Sequence, residues 1–92
     1  MSEGPEHGAR FELSRQSIDD RAATYELIVL ERQRSFAARA TLAPSGIDVH
    51  WTSEPPRWIA DTMLGFLKTL RKNHADDAGW PARLVRWRAE RE

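Results

Sequence analysis

The segment SFAARATLAPSGIDVHW, residues 35–51, decides the fold because it contains a complete β-hairpin. Apolar and polar residues alternate with a period of two on both sides of residues 43–46, as is typical of strands with one buried face. Within the turn, Pro44 restricts the backbone and Gly46 can adopt a positive φ angle. The alternation also predicts the register, because a slip of one residue would mix the two faces. The predicted pairs are Leu42–Ile47, Ala40–Val49 and Ala38–Trp51 on the inner face, and Thr41–Asp48 and Arg39–His50 on the outer face.

Two further strands precede this hairpin. Residues 11–18 begin with a regular alternation of apolar and polar side chains, and residues 24–31 form the strongest strand of the chain. The second of these strands is apolar on both faces, with Ile28 and Leu30 on the face that the alternation turns away from the helix. A strand of this kind usually lies in the middle of a sheet with both faces covered. Residues 1–9 are polar and contain Pro5, so they predict a disordered tail ahead of a single domain over residues 10–92.

An amphipathic helix is predicted over residues 57–74. Pro55 and Pro56 suit the start of a helix, and Ser53 can cap it. The spacing of the apolar residues then changes to 3.6, with Ile59, Met63, Phe66 and Leu70 in one narrow arc. We expect this helix to lie across the sheet face that carries Tyr25, Leu27, Val29, Phe36, Ala38, Ala40, Val49 and Trp51.

The C-terminal segment, residues 80–88, is compatible with two structures. As a helix it begins at Pro81 and places Trp80, Leu84 and Trp87 on one face. As a strand it alternates Val85 and Trp87 with Leu84, Arg86 and Arg88. The Ala, Arg and Leu of this segment and the Glu residues that follow it favour the helix. The predicted fold is therefore α+β: a four-stranded antiparallel meander packed on one long amphipathic helix, with a short C-terminal helix (or strand).

Composition excludes several classes of protein. The chain has 92 residues, 14 Lys and Arg against 14 Asp and Glu, and no cysteine. A disulfide framework, a thiolate metal site and a cysteine nucleophile are thus excluded. The polar N-terminal sequence does not match a signal peptide, and no apolar run approaches the ~20 residues that span a bilayer. These features predict a cytoplasmic protein without membrane contact.

Residues that could carry out catalysis are few. Asp48 and His50 share the outer face of one strand, but a zinc site usually needs three protein ligands and no third is nearby. The pairs at residues 19–20 and 76–77 lie in turn or linker sequence, where aspartate is common for local reasons. No glycine-rich phosphate loop or nucleophile elbow is present. We therefore expect no enzyme activity, no metal and no cofactor.

The remaining signals indicate binding. Tryptophan is frequent, and the C-terminal segment combines it with arginine. Arg beside Trp is a pattern that can contact phosphate and stack on bases, although the balanced charge argues against a general polyanion binder. We expect a small non-catalytic protein-interaction domain, with another protein or a second copy as partner, and nucleic-acid binding as the alternative. The candidate interface residues are Ile28, Leu30, Trp58, Trp80 and Trp87, and the candidate anion or nucleic-acid contacts are Arg83, Arg86 and Arg88.

Overall fold

The computed structural model describes residues 8–19, 21–74 and 80–89. Within these residues the fold is α+β, with one antiparallel sheet and one helix, as the sequence predicts. Five strands are present rather than the four of the predicted meander. The elements are β1 (Gly8–Asp19), β2 (Ala22–Glu31), β3 (Ser35–Ala43), β4 (Gly46–Trp51), α1 (Arg57–His74) and β5 (Arg83–Ala89).

The first four strands form the predicted meander, and the sheet order is β4-β3-β2-β1-β5. All the pairs expected in the β3–β4 hairpin are present, including Leu42 opposite Ile47 and Ala38 opposite Trp51. Strand β2 occupies the centre of the sheet, as its two apolar faces predict. The alternation of small and large side chains across β3 and β4 therefore selects the observed register.

Strand β1 is longer than the sequence predicts. It begins at Gly8, and the side chain of Ala9 is buried in the core, so the prediction of a disordered tail up to residue 9 is wrong for these two residues. Residues 1–7 lie outside the described residues. The strand continues to Asp19 after a register shift between Arg15 and Ser17, which is an irregularity of the β-bulge type. Pairing with strands on both sides explains how so small a residue as Ala9 enters the core.

The helix α1 covers one face of the sheet and has the predicted bounds. Its buried face includes Ile59, Met63 and Leu67, while Phe66 is partly buried beside them. Arg71 links the C-terminal end of the helix to the β3–β4 turn, because its guanidinium donates hydrogen bonds to the carbonyl oxygens of Ala43 at 2.8 Å and Pro44 at 2.9 Å. The core lies between helix and sheet and consists of Ala9, Phe11, Leu13, Ala23, Tyr25, Leu27, Val29, Phe36, Ala38, Ala40, Leu42, Ile59, Met63, Leu67, Leu70 and Trp80.

The C-terminal segment forms a strand, so the helix that its composition favours is wrong and the alternative is correct. Strand β5 pairs antiparallel with β1 over Arg83–Ala89. Just before it, the Arg15 guanidinium donates a hydrogen bond to the Trp80 carbonyl at 2.6 Å, and the Arg15 amide donates one to the Ala82 carbonyl at 2.8 Å. The open edge of β1 satisfies the backbone groups of β5 that point towards it over Arg83–Ala89. This tertiary gain outweighs a weak helical propensity.

Strand β5 extends the sheet sideways and leaves the second face uncovered. We call the side of the sheet opposite α1 the open face. Among the described residues, no helix or strand packs over it, and Ile28 and Leu30 of the central strand remain exposed. The expectation that both faces of β2 are covered is therefore not met within this part of the chain. The described helix is not long and apolar enough to cross a membrane.

Candidate functional site

The open face carries two neighbouring rows of side chains that run across the strands. Residues that pair directly in an antiparallel sheet project to the same side, so the strand registers define each row. The tryptophan row contains Trp87, Arg10, Leu30 and Ser35, taken from β5, β1, β2 and β3 in that order. The valine row lies beside it and contains Val85, Glu12, Ile28 and Ala37 from the same four strands.

Both rows carry apolar side chains on β5 and β2 and a charged side chain between them on β1. Trp87 is 56% exposed, and Leu30 and Ile28 are 40% and 37% exposed. These three are among the most exposed large apolar residues of the described chain, and the face gathers them within two rows. A concentration of this kind is characteristic of a surface that another molecule covers.

Arg10 and Glu12 form the charged centre of the two rows. Arg10 Nε lies 2.9 Å from Glu12 Oε2, and its guanidinium carbon lies 5.9 Å from the centre of the Trp87 ring. Arg83 reaches the other carboxylate oxygen of Glu12 at 3.5 Å. The two arginines therefore hold the carboxylate from two sides, and only 17% of the Glu12 side chain is exposed.

The open face as a whole is not basic. Its strands present three arginines and four carboxylates there, which alternate across the surface. A nucleic-acid surface gains most of its affinity from clustered positive charge, and this distribution does not provide it. The positively charged residues are Arg10, Arg39 and Arg83, and the negatively charged residues are Glu12, Asp19, Glu26 and Asp48.

The strand conformation of β5 separates the candidate arginines. Arg83 lies on the open face with Trp87, whereas Arg86 and Arg88 project to the helix side. The Arg88 guanidinium carbon lies 5.0 Å from the centre of the Phe66 ring, and both arginines border a cleft of about 260 Å³ between α1 and β5. The structure therefore does not bring the three predicted anion contacts together.

Of the candidate interface tryptophans, one belongs to the core and a second packs against it. Trp80 is buried and packs edge-to-face on Tyr25, with the ring centres 6.5 Å apart. Trp58 is half-buried and meets Phe11 in the same geometry at 6.3 Å. Trp80 is unavailable to a partner because its side chain is buried inside the monomer. Of the tryptophans named as interface residues, Trp87 is the one that presents its ring on the open face.

Tyr25 connects the core to the segment that positions Trp87. Its hydroxyl donates a hydrogen bond to the Pro81 carbonyl. Burial raises the pKa of the Tyr25 phenol above its ordinary value near 10, while the positive charge of Arg15 acts in the opposite direction. The neutral phenol is the form that donates this bond. The central strand thereby anchors the beginning of β5 from inside the core.

The Asp48–His50 pair has the geometry of a surface contact. His50 Nε2 lies 3.0 Å from Asp48 Oδ2, and both side chains are well exposed. No cluster of three or more His, Cys, Asp or Glu side chains suited to a metal ion occurs in residues 8–19, 21–74 and 80–89. Asp19 of the first acidic pair lies at the end of β1, while Asp20, Asp76 and Asp77 lie outside the described residues.

Sequence reasoning missed Arg10, Glu12 and Val85 as members of the surface. Arg10 and Glu12 flank the inward-facing Phe11, so their outward direction is readable from the alternation. Their position beside Ile28 and Val85 depends on which strands pair with β1. That pairing joins residues far apart in the chain, so local sequence patterns do not reveal it. Comparison of the chain with protein-family models, curated proteins and solved structures finds no match.

Proposed function

We propose that this chain is a small non-catalytic protein-interaction domain that associates with a second copy of itself through the open face. The observation that carries the proposal is the exposure of Ile28, Leu30 and Trp87 in two adjacent rows. Burial of apolar side chains is the main favourable contribution to most protein association. The central strand would then have both faces covered, as its sequence predicts.

The size of the open face supports a second copy as the occupant. Four strands spaced by about 4.8 Å, each with four outward positions spaced by about 6.7 Å, give a surface of roughly 500 Å² per protomer around the two rows. Two such faces bury about 1,000 Å² in total, which is about the least area expected of a biological interface. Sheets that pack face to face in this way keep their strands within about 30° of each other.

The balance of charge on the open face also supports self-association. A surface that carries positive and negative side chains in similar number can place each charge opposite one of the other sign on an identical surface. A strongly basic or acidic face cannot, because like charges would meet across a two-fold axis. Arg10 and Glu12 provide one charge of each sign in neighbouring rows, so the required pattern is present at the centre of the face.

The test is the solution mass of the chain, measured by light scattering on a sizing column from about 1 µM to about 1 mM. We expect the mass to rise to twice that of the monomer within this range. The Ile28→Lys variant should remain monomeric, because it places a charge at the centre of the interface. A monomer throughout the range would refute the proposal, and salt-sensitive binding of an oligonucleotide by that monomer would favour the alternative function.

The chain offers a closely matched control for this variant. Ile18 is 38% exposed and Ile28 is 37% exposed, and both lie in the β1–β2 hairpin. Ile18 projects to the opposite side of the sheet, since it pairs with the buried Ala23. The Ile18→Lys variant should therefore dimerise like the unmodified chain. Equal loss of the dimer in both variants would show that the effect is not specific to the open face.

A further inference from the structure

We propose that Arg10 and Glu12 set the orientation of the two protomers, so that the two-fold axis of the dimer runs across the strands between the tryptophan row and the valine row. This inference rests on the proposed function, since it requires that the open faces meet. It assigns a role to two charged residues, and the apolar contacts alone do not require that role. They act as specificity determinants of the interface.

The axis follows from what each row would meet. Rotation about a line across the strands, midway between the rows, places each row of one protomer opposite the other row of its partner. Leu30 then faces the partner's Ile28, and Trp87 faces the partner's Val85. Arg10 faces the partner's Glu12, and the symmetry repeats each contact once. Within these two rows every large apolar side chain meets another apolar one, and Arg10 and Glu12 each meet the opposite charge.

The other in-plane axes place unfavourable groups together. An axis along β1 would bring Arg10 onto the partner's Arg10 and Glu12 onto the partner's Glu12, which is a repulsive arrangement. An axis along β2 would set Arg10 against the partner's Ser35 and Glu12 against the partner's Ala37, without a charge to meet them. An isologous interface has to be complementary to itself. Of these three rotations, the one across the strands, between the two rows, satisfies both the apolar and the charged side chains of the rows.

The local geometry prepares Glu12 for such a contact. The carboxylate is held by Arg10 at 2.9 Å and by Arg83 at 3.5 Å, so it is already fixed when a partner approaches. The Arg10 side chain remains 38% exposed and crosses towards the Trp87 ring. Charged side chains that are fixed before association lose less conformational freedom on binding, which increases their effect on partner choice.

The test is the mixing of the unmodified chain with the Arg10→Glu/Glu12→Arg double variant. One of the two is labelled with nitrogen-15, and native mass spectrometry counts the three dimers after equilibration. Exchange of both charges preserves the opposite-charge pairs between positions 10 and 12 in the variant's own dimer, while the contact of position 12 with Arg83 is lost. In the mixed dimer of the proposed orientation, Arg10 of the unmodified chain meets the introduced arginine, and its Glu12 meets the introduced glutamate. We expect the mixed species to fall from about half of all dimers to below roughly one fifth, from ion contacts of ordinary surface strength.

A matched control uses a charge pair that lies away from the open face. Arg57 and Asp61 form an exposed pair at 3.8 Å on α1. The Arg57→Glu/Asp61→Arg variant should mix with the unmodified chain in the statistical proportion. The same depletion of mixed dimers in this control would mean that charge exchange acts non-specifically, and it would overturn the proposal.

The outcomes separate this inference from the proposed function. If the unmodified chain does not dimerise at all, the proposed function fails. If it dimerises and the double variant mixes statistically, Arg10 and Glu12 do not meet across the interface and the orientation is wrong. An excess of mixed dimers would indicate the axis along β1, because Arg10 of the unmodified chain would then meet the introduced glutamate. The single variants Arg10→Glu and Glu12→Arg give a second test, since each should weaken its own dimer and their mixture should restore it.

Discussion

Replacement of Trp87 by alanine is expected to weaken the proposed dimer by about 100-fold, and the magnitude follows from the exposure of the ring. A tryptophan side chain buries about 150–250 Å² in a well-packed site. Because 56% of Trp87 is exposed in the monomer, roughly 85–140 Å² remains for a partner to cover. At about 25 cal/mol per Å², full burial is worth at most about 2–3.5 kcal/mol for each ring.

The two-fold interface contains this ring twice, but the full amount does not appear as affinity. Ordering of side chains and imperfect pairing of polar groups reduce the gain on association. About 1.5 kcal/mol for each ring, or about 3 kcal/mol for the dimer, corresponds to a dissociation constant raised about 100-fold. The effect on folding should be small, within about 1 kcal/mol, because more than half of the side chain is exposed in the monomer.

The assay is sedimentation equilibrium of the unmodified chain and the Trp87→Ala variant, accompanied by urea denaturation of both. Leu64→Ala is the control, because Leu64 is 36% exposed and lies on α1, away from the open face. The control should leave the dissociation constant within about twofold of that of the unmodified chain. A folded Trp87→Ala variant that dimerises as tightly as the unmodified chain would refute the assignment of this ring to the interface.

Two further predictions concern stability. Tyr25→Phe should lower the free energy of unfolding by about 1–2 kcal/mol in urea denaturation, because the partly buried Pro81 carbonyl loses its donor. Since burial raises the pKa of Tyr25 in the folded state, its contribution is fully present below pH about 10 and decreases as the pH rises through the folded value. The Phe variant should lack this alkaline component, and an unchanged decline would contradict the assignment. Gly65→Ala should raise the melting temperature and add up to about 1 kcal/mol, because this exposed helical position has open space for a methyl group within 4 Å; a lower melting temperature would contradict this.

Much of the fold is encoded in local patterns that the sequence displays directly. The register of β3 and β4 follows from the fact that Ala38 can accommodate Trp51 only if Leu42 meets Ile47. The helix bounds follow from Pro55 and Pro56 before it and the change to a period of 3.6. Such features depend on neighbours within a few positions, so alternation and turn chemistry suffice to define them.

The state of residues 83–89 required the tertiary structure. Their intrinsic preference for helix is weak, and the decisive contribution is a ladder with β1, whose residues lie 69 to 81 positions earlier in the chain. The same pairing separated the candidate arginines, since alternate residues of a strand project to opposite sides. It also placed Trp87 beside Arg10 and buried Trp80 against Tyr25.

The candidate site shows the same division. The alternation of Ile28 and Leu30 with Leu27 and Val29 is unambiguous, so the sequence alone places the first two on the second face of a central strand. The folded chain was needed to show that β5 joins the edge of the sheet instead of covering that face, and that Arg10 and Glu12 lie between β5 and the central strand. Side-chain direction is a property of each strand alone, whereas strand order depends on which distant backbone satisfies the open hydrogen bonds of β1.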